Sequence, residues 1–137
     1  MDESKSGVLL SVDLKKFRIR IHKTTLNQLG FPSFIQLLIN PIDKIIAVRG
    51  IDRRCKDAHV VSFTHIKPDN SYELYSKQLI LTLMSLLPDL NGNCSYRLTG
   101  ETHVDKSTAF FPLSTIQRIE EANRKKRNTV FKIKINQ

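Results

Sequence analysis

The chain has no tryptophan, seven phenylalanines and three tyrosines among its 137 residues. Because single-stranded nucleic acid is commonly held by bases stacked on aromatic rings, this scarcity argues against a protein that binds single strands or RNA. Two cysteines, Cys55 and Cys94, are too few for the disulfide framework of a small secreted domain. We therefore expect a cytoplasmic protein of a reducing compartment.

Long apolar runs are also missing. The longest, residues 79–87, is interrupted by Thr82 and Ser85, whereas a membrane-spanning helix needs about 20 apolar residues. The opening residues, MDESKSG, have neither the apolar core nor the cleavage site of a secretory signal. We expect no insertion into a membrane.

The motifs of common enzymes and metal sites do not occur. The sequence has no Walker phosphate loop, no paired-glycine dinucleotide motif and no serine elbow. Cys55, His59 and His65 come nearest to a ligand cluster, but their spacing matches no common zinc pattern. We expect no catalytic residues, no metal and no cofactor, and hence a protein that is not an enzyme.

Fixed-period repeats, low-complexity tracts and flexible linkers are likewise absent from the sequence, which predicts a single domain over residues 1–137. Predicted strands and helices are interspersed, and a predicted hairpin implies antiparallel pairing. We therefore expect an α+β fold, mainly an antiparallel sheet with a long buried helix over residues 72–87 and one or two shorter helices. Residues 124–137 would form a basic arm or a C-terminal strand.

The other elements follow from local patterns. A short helix is predicted over residues 23–29, with Thr24 or Thr25 as its N-cap and Gly30 as its stop, and another over residues 112–123. Strands are predicted over residues 16–22, 34–39, 44–49, 59–64, 95–99, 108–111 and 130–136.

Positive charge is what the sequence has in excess, with a net charge of +9. It is segregated: residues 1–56 carry +6, residues 57–117 carry −2 and residues 118–137 carry +5. Blocks of one sign create a local field that attracts polyanions. Nucleic acid is therefore the expected partner, and the alternative is a lysine-rich surface that only contacts water.

The most informative pattern is the alternation of apolar and basic residues over residues 16–22. In a strand, Lys16, Arg18 and Arg20 would share one face at intervals of about 6.6 Å. Cations at this spacing can donate charge-assisted hydrogen bonds to successive phosphates without reading base sequence. The alternative is an ordinary amphipathic strand, since cations also protect sheet edges from aggregation.

Two further basic clusters are candidates for phosphate contacts. Arg53 and Arg54 follow the predicted hairpin, and the densest run of charge begins at Arg124. Each cluster could equally be solvated surface, and cations are favourable at the end of a helix. The predicted nucleic-acid-binding residues are Lys16, Arg18, Arg20, Arg53, Arg54, Arg124, Lys125, Lys126 and Arg127.

Three segments carry a resemblance to a known family: RIRIH at residues 18–22, Leu29-Gly30, and the predicted hairpin around residues 37–46. Together they resemble the swapped-hairpin AbrB family of bacterial transition regulators. Those proteins have an arginine-led strand, a one-turn helix ending in Leu-Gly, and a hairpin, and they interlock as dimers that bind DNA. The resemblance implies a homodimer and a DNA contact by Arg18. His22 stands where that family has a proline.

The segments IRIHKTTLNQLG and FIQLLINP also resemble small candidate DNA-binding proteins carried on conjugative transposons of Firmicutes. This resemblance implies a non-enzymatic DNA-binding, accessory or regulatory protein of a bacterial mobile element, with duplex DNA favoured. The competing hypothesis is a protein-interaction module whose basic surface binds an acidic protein partner.

Overall fold

A computed structural model describes residues 7–53, 58–61 and 71–119. Within these ranges two helices occur, α1 (Lys23–Gln28) and α2 (Lys77–Leu86), and short 3-10 turns cover Val104–Lys106 and Leu113–Thr115. The strands are β1 (Val8–Asp13), β2 (Arg18–His22), β3 (Phe34–Asn40), β4 (Ile45–Ile51), β5 (Ala58–Val60), β6 (Ser71–Tyr75), β7 (Ser95–His103), β8 (Thr108–Pro112) and β9 (Gln117–Arg118).

All the described strand pairings are antiparallel, and the sheet curls into a half-barrel. The strand order is β5-β3-β4-β8-β7-β1-β2-β6, and β9 pairs with β7. Strand β7 joins the two parts of the sheet, because Val8 of β1 pairs with Gly100 while Glu101 pairs with Phe110 of β8. A side chain at Gly100 would clash with the carbonyl oxygen of Phe110, so glycine is required at this crossing.

The described chain contains two halves of the same design, β1–β4 with α1 and β5–β8 with α2. In this comparison β1 corresponds to β5, β2 to β6, β3 to β7 and β4 to β8. The pairing β1–β7 then corresponds to β5–β3, and the pairing β3–β4 corresponds to β7–β8. The pairings β4–β8 and β2–β6 each join a strand to its own counterpart. The pairing β1–β2 has no counterpart among the described residues, although the Tyr72 hydroxyl of β6 donates to the Val60 carbonyl of β5.

Details of the two hairpins repeat as well. Each has four residues between its strands, and the last of the four is left-handed, Lys44 with φ of 57° and Ser107 with φ of 48°. The Gly50 amide donates to the Ser107 carbonyl (2.7 Å), and the Leu113 amide donates to the Lys44 carbonyl (2.9 Å). These reciprocal bonds hold the hairpins together, and they show a structural repeat that local sequence patterns do not reveal.

The core lies on the inner face of the curled sheet. Alternation along each strand sends one set of side chains inward, so that Leu10, Ile19, Ile21 and Leu98 are buried. Ile80 of helix α2 is buried in the same core. The opposite set, which includes Ser11, Arg18, Arg20 and Arg97, lies on the outer face. The core therefore leaves the polar face of β1, β2 and β7 available for a site.

The predicted α+β class with a long buried helix is wrong. Helix α2 has ten residues rather than the predicted span of 72–87, because residues 71–75 pair with β2 as strand β6. Only Leu79, Ile80 and Leu83 of α2 are buried. The many apolar residues of 72–87 predicted one helix buried on all sides. They instead belong to two elements, strand β6 and helix α2, and each element contributes only some of its residues to the core.

The helix predicted over residues 112–123 is also wrong in the described part, where a 3-10 turn is followed by β9. The helix at residues 23–29 is confirmed as α1, and Gly30 ends it with φ of 81°. Its N-cap is His22 rather than Thr24 or Thr25, because the His22 ring accepts the Thr24 amide hydrogen bond. The predicted hairpin is confirmed as β3 and β4.

Strand β2 begins at Arg18, so the strand predicted over residues 16–22 is shorter than expected. Lys16 and Phe17 lie in the turn from β1, where Phe17 has φ of 55°. The strand predicted over residues 130–136 and the second half of that over residues 59–64 lie outside the described residues, while residues 59 and 60 belong to β5. No helix in the described part of the chain is long and apolar enough to cross a membrane.

Candidate nucleic-acid interface

Side chains of four neighbouring strands meet on the outer face of the half-barrel. Ser11 of β1 lies between Arg20 of β2 and Arg97 of β7, and Glu73 of β6 lies beyond Arg20. In the next row Asp13 lies between Arg18 and Ser95. Side chains directly opposite in antiparallel strands share a face and are in reach of each other, so these residues form one continuous polar surface.

A cleft of about 470 Å³ opens on this surface. Its walls are the turn between β1 and β2 on one side and residues 93–95 on the other. It is lined by Ser11, Val12, Asp13, Lys15, Lys16, Arg18, Arg20, Asn93, Cys94, Ser95 and Ile119. Four cations and one carboxylate therefore line the cleft, which we call the cationic cleft.

Asp13 shapes one end of the cationic cleft. Its Oδ1 accepts hydrogen bonds from the backbone amides of Lys15 (3.1 Å) and Lys16 (3.2 Å), and its Oδ2 accepts one from Arg18 Nη2 (3.1 Å). The same carboxylate thus fixes the β1–β2 turn and the guanidinium that follows it. Holding the turn in this way directs the exposed Lys15 and Lys16 to the rim.

Glu73 holds the other end from the neighbouring strand. Arg20 Nε donates to Glu73 Oε2 at 2.8 Å, and Arg18 Nη1 lies 3.9 Å from the same oxygen. The Glu73 side chain is 12% exposed and that of Arg18 is 20% exposed, whereas Arg20 is 39% exposed. A carboxylate shared between two guanidiniums in a partly dehydrated site fixes their orientation more strongly than a surface ion pair would.

The cationic cleft is suited to binding an anion. Arginine has five N–H donors in a planar fork, so the Arg18 guanidinium, which donates one hydrogen bond to Asp13, has further donors for a ligand. The described lining carries three more positive charges than negative ones. Such a concave, partly dehydrated wall strengthens the attraction of a phosphate relative to an open surface.

A smaller recess of about 160 Å³ adjoins the cleft and shares Ser11, Arg20 and Ile119 with it. Its further lining includes Arg97 and His22. Arg97 was not among the predicted contacts, because it lies in the slightly acidic middle of the chain. The alternation of Tyr96 and Leu98 around Arg97 is the signal that could have placed it on the outer face.

The predicted contact residues separate into three groups. Lys16, Arg18 and Arg20 come together in the cationic cleft. Arg53 does not: it follows β4, which runs in the same direction as β2, so it lies at the opposite end of the strands from the β1–β2 turn. Arg54, Arg124, Lys125, Lys126 and Arg127 lie outside the described residues.

Sequence reasoning also missed Lys15, Asp13 and Glu73. Lys15 was not selected because it fell before the alternating segment, and the two acids could be recognised only through strand register.

Among the described residues no group of three or more metal-ligating side chains comes together. No protein-family model, curated protein or solved structure matches the chain.

Proposed function

We propose that this protein is a non-enzymatic, cytoplasmic nucleic-acid-binding protein that holds DNA phosphates in the cationic cleft. The observation that carries the proposal is the convergence of Lys15, Lys16, Arg18 and Arg20 on the cationic cleft, where Asp13 and Glu73 pair with the two arginines and leave the two lysines as excess positive charge. Phosphate contacts of this kind supply affinity and orientation without reading base sequence. The resemblance to proteins of conjugative transposons would place this binding in the accessory or regulatory machinery of a bacterial mobile element.

The roles of the four cations differ. Arg18 and Arg20 are oriented by Asp13 and Glu73 and form the inner wall. Lys15 and Lys16 are exposed at the rim, so they meet the ligand without first leaving an acidic partner described in the structure. Arg124, in the C-terminal basic run, follows the cleft residue Ile119 by five residues in sequence, and we include this run as a second source of phosphate contacts.

The test is a salt titration of DNA binding with the double variant Lys15→Ala and Lys16→Ala. Each lost phosphate contact should reduce the slope of log affinity against log salt by about one, so we expect a reduction of about two. Affinity should fall for all base sequences alike. The change leaves the turn intact, because Asp13 binds the backbone amides of these residues and not their side chains.

Lys106→Ala is the matched control. Lys106 is an exposed cation in the turn after β7, at the opposite end of the strands from the cationic cleft. Its loss should leave the salt slope close to that of the wild type, as should Arg53→Ala. An unchanged slope in the Lys15/Lys16 variant would remove the cleft from the proposal. If no nucleic acid binds even at low salt, an acidic protein partner becomes the better hypothesis.

A further inference from the structure

Tyr75 is an exposed aromatic residue beside the cationic cleft. Its side chain is 61% exposed, whereas the other phenylalanines and tyrosines within the described ranges are buried or half-buried. Tyr75 pairs directly with Arg18 across the β2–β6 ladder. Residues opposite each other in an antiparallel pair point to the same face, so the ring stands on the outer face next to the Arg18 guanidinium.

Packing does not account for this ring. The preceding residue, Leu74, points to the core and is buried, while Tyr75 is the last residue of β6 and faces outward. In the described part of the sheet β6 is the terminal strand, so the ring stands at an edge that a ligand can approach. An exposed aromatic ring beside a row of cations is the arrangement with which proteins stack a base and hold its phosphate.

The shape of the cleft favours a single-stranded ligand. The cations line a recess between the β1–β2 turn and residues 93–95, which suits a flexible backbone that can bend into it better than a stiff duplex. A paired base also offers no open face to a ring at its side. A flexible single strand can place a phosphate in the recess and turn the neighbouring base onto Tyr75.

We propose that the cationic cleft binds single-stranded DNA, with a phosphate held by Arg18 and the rim lysines and an adjacent base stacked on Tyr75. This inference rests on the proposed function and replaces the duplex favoured by the sequence. One ring is sufficient for a stacking platform, and stacking tolerates any base because every base has an aromatic face. Binding should therefore depend on strandedness and depend little on base sequence.

The experiment compares fluorescence anisotropy of a labelled oligothymidylate and of a duplex of equal length, using the full chain and Tyr75→Ala. We expect the wild type to prefer the single strand, and the variant to bind that strand about tenfold more weakly. The weak binding of Tyr75→Ala to the duplex should equal that of the wild type. Tyr75→Phe keeps the ring and should restore single-strand affinity to within about twofold.

Ile42→Ala is the control for loss of exposed apolar surface. Ile42 is 88% exposed in the turn between β3 and β4, and its removal should leave both affinities unchanged. Equal losses for single strand and duplex in Tyr75→Ala, or no loss at all, would overturn the stacking role. The proposed function would survive that result as long as the Lys15/Lys16 variant still lowers the salt slope, and it would fail if neither ligand bound.

Discussion

The two halves of the molecule share one backbone design and differ in the side chains they place on it. Arg20 of the first half and Glu73 of the second occupy equivalent positions and also pair with each other. At the equivalent inner positions the first half has Ile19 and the second has Tyr72, both of which are buried. The strand pairing is thus shared by the two halves, while the outer face is cationic in one half and acidic and aromatic in the other.

This difference has a functional consequence. A symmetrical outer face would place like charges opposite each other on β2 and β6, which destabilises a sheet. The observed face instead sets an arginine against a glutamate at the centre, and Asp13 pairs with Arg18, so the rim lysines of the first half remain as excess positive charge. The second half therefore stabilises the cationic cleft that the first half provides.

The largest effect on stability is expected at Gly100, where strand β7 passes close to the backbone of β8. Gly100 of β7 is equivalent to Leu37 of β3, and a side chain at Gly100 would clash with the backbone of β8. Gly100→Ala should lower the free energy of unfolding by about 3 kcal/mol, because rigid backbone must move. Urea unfolding measures the loss.

Gly92→Ala provides the comparison, because its new methyl group would meet only the flexible end of Met84, at 3.4 Å. We expect a change within about 0.5 kcal/mol. Similar losses at the two glycines would show that the β7 crossing is not the constrained point of the sheet.

Exchanging the charges of Arg20 and Glu73 tests the comparison of the two halves more directly. Arg20→Glu sets two carboxylates against each other, and Glu73→Arg brings three guanidiniums together, so each variant should lose about 2 kcal/mol of stability. The double variant restores an ion pair of opposite orientation, and it should recover most of that loss. A double-mutant cycle from urea unfolding gives the coupling, and additive losses would show that Arg20 and Glu73 do not stabilise each other across the two halves.

A smaller, pH-dependent effect is expected at Tyr72. Burial raises the pKa of the Tyr72 hydroxyl above its usual value, and that hydroxyl donates to the Val60 carbonyl. The folded chain therefore keeps the proton more tightly than the unfolded chain. Stability is unaffected by this titration below about pH 10 and falls as the pH rises above it, because the unfolded chain loses its proton first.

Tyr72→Phe should cost about 1 kcal/mol near neutral pH through the lost hydrogen bond. Above about pH 10 its deficit should shrink, since the variant has no phenol to titrate. Unfolding midpoints of Tyr72→Phe and the wild type, measured near neutral pH and above about pH 10, test this change in the deficit. Tyr75→Phe is the exposed control on the same strand. A deficit that is constant with pH would contradict the raised pKa.

The sequence predicted those parts of the fold that depend on local chemistry. Alternation placed Arg18 and Arg20 on one face, and Gly30 correctly marked the end of α1. The prediction failed at residues 72–87, because an apolar segment supports either a strand or a helix until a pairing partner is known. Strand β2 is that partner, and a sequence pattern of local range does not contain it.

The candidate site divides in the same way. Lys16, Arg18 and Arg20 were predicted because their spacing along one strand is local. Asp13 and Glu73 were missed, although both bind Arg18. The Asp13 contact depends on the register of β1 against β2, and the Glu73 contact spans the two halves. Arg53 was grouped with the contacts by charge alone, and strand direction places it at the far end of the sheet.

By itself the sequence determined the excess of positive charge and the alternation that turns cations away from the core, because composition and period-two geometry act within a few residues. Only the tertiary structure decided that the cations line a cleft, that acids from neighbouring strands hold them, and that Tyr75 stands beside them. Strand order and register made those choices, since they bring together residues far apart in the chain and fix which side chains share a face.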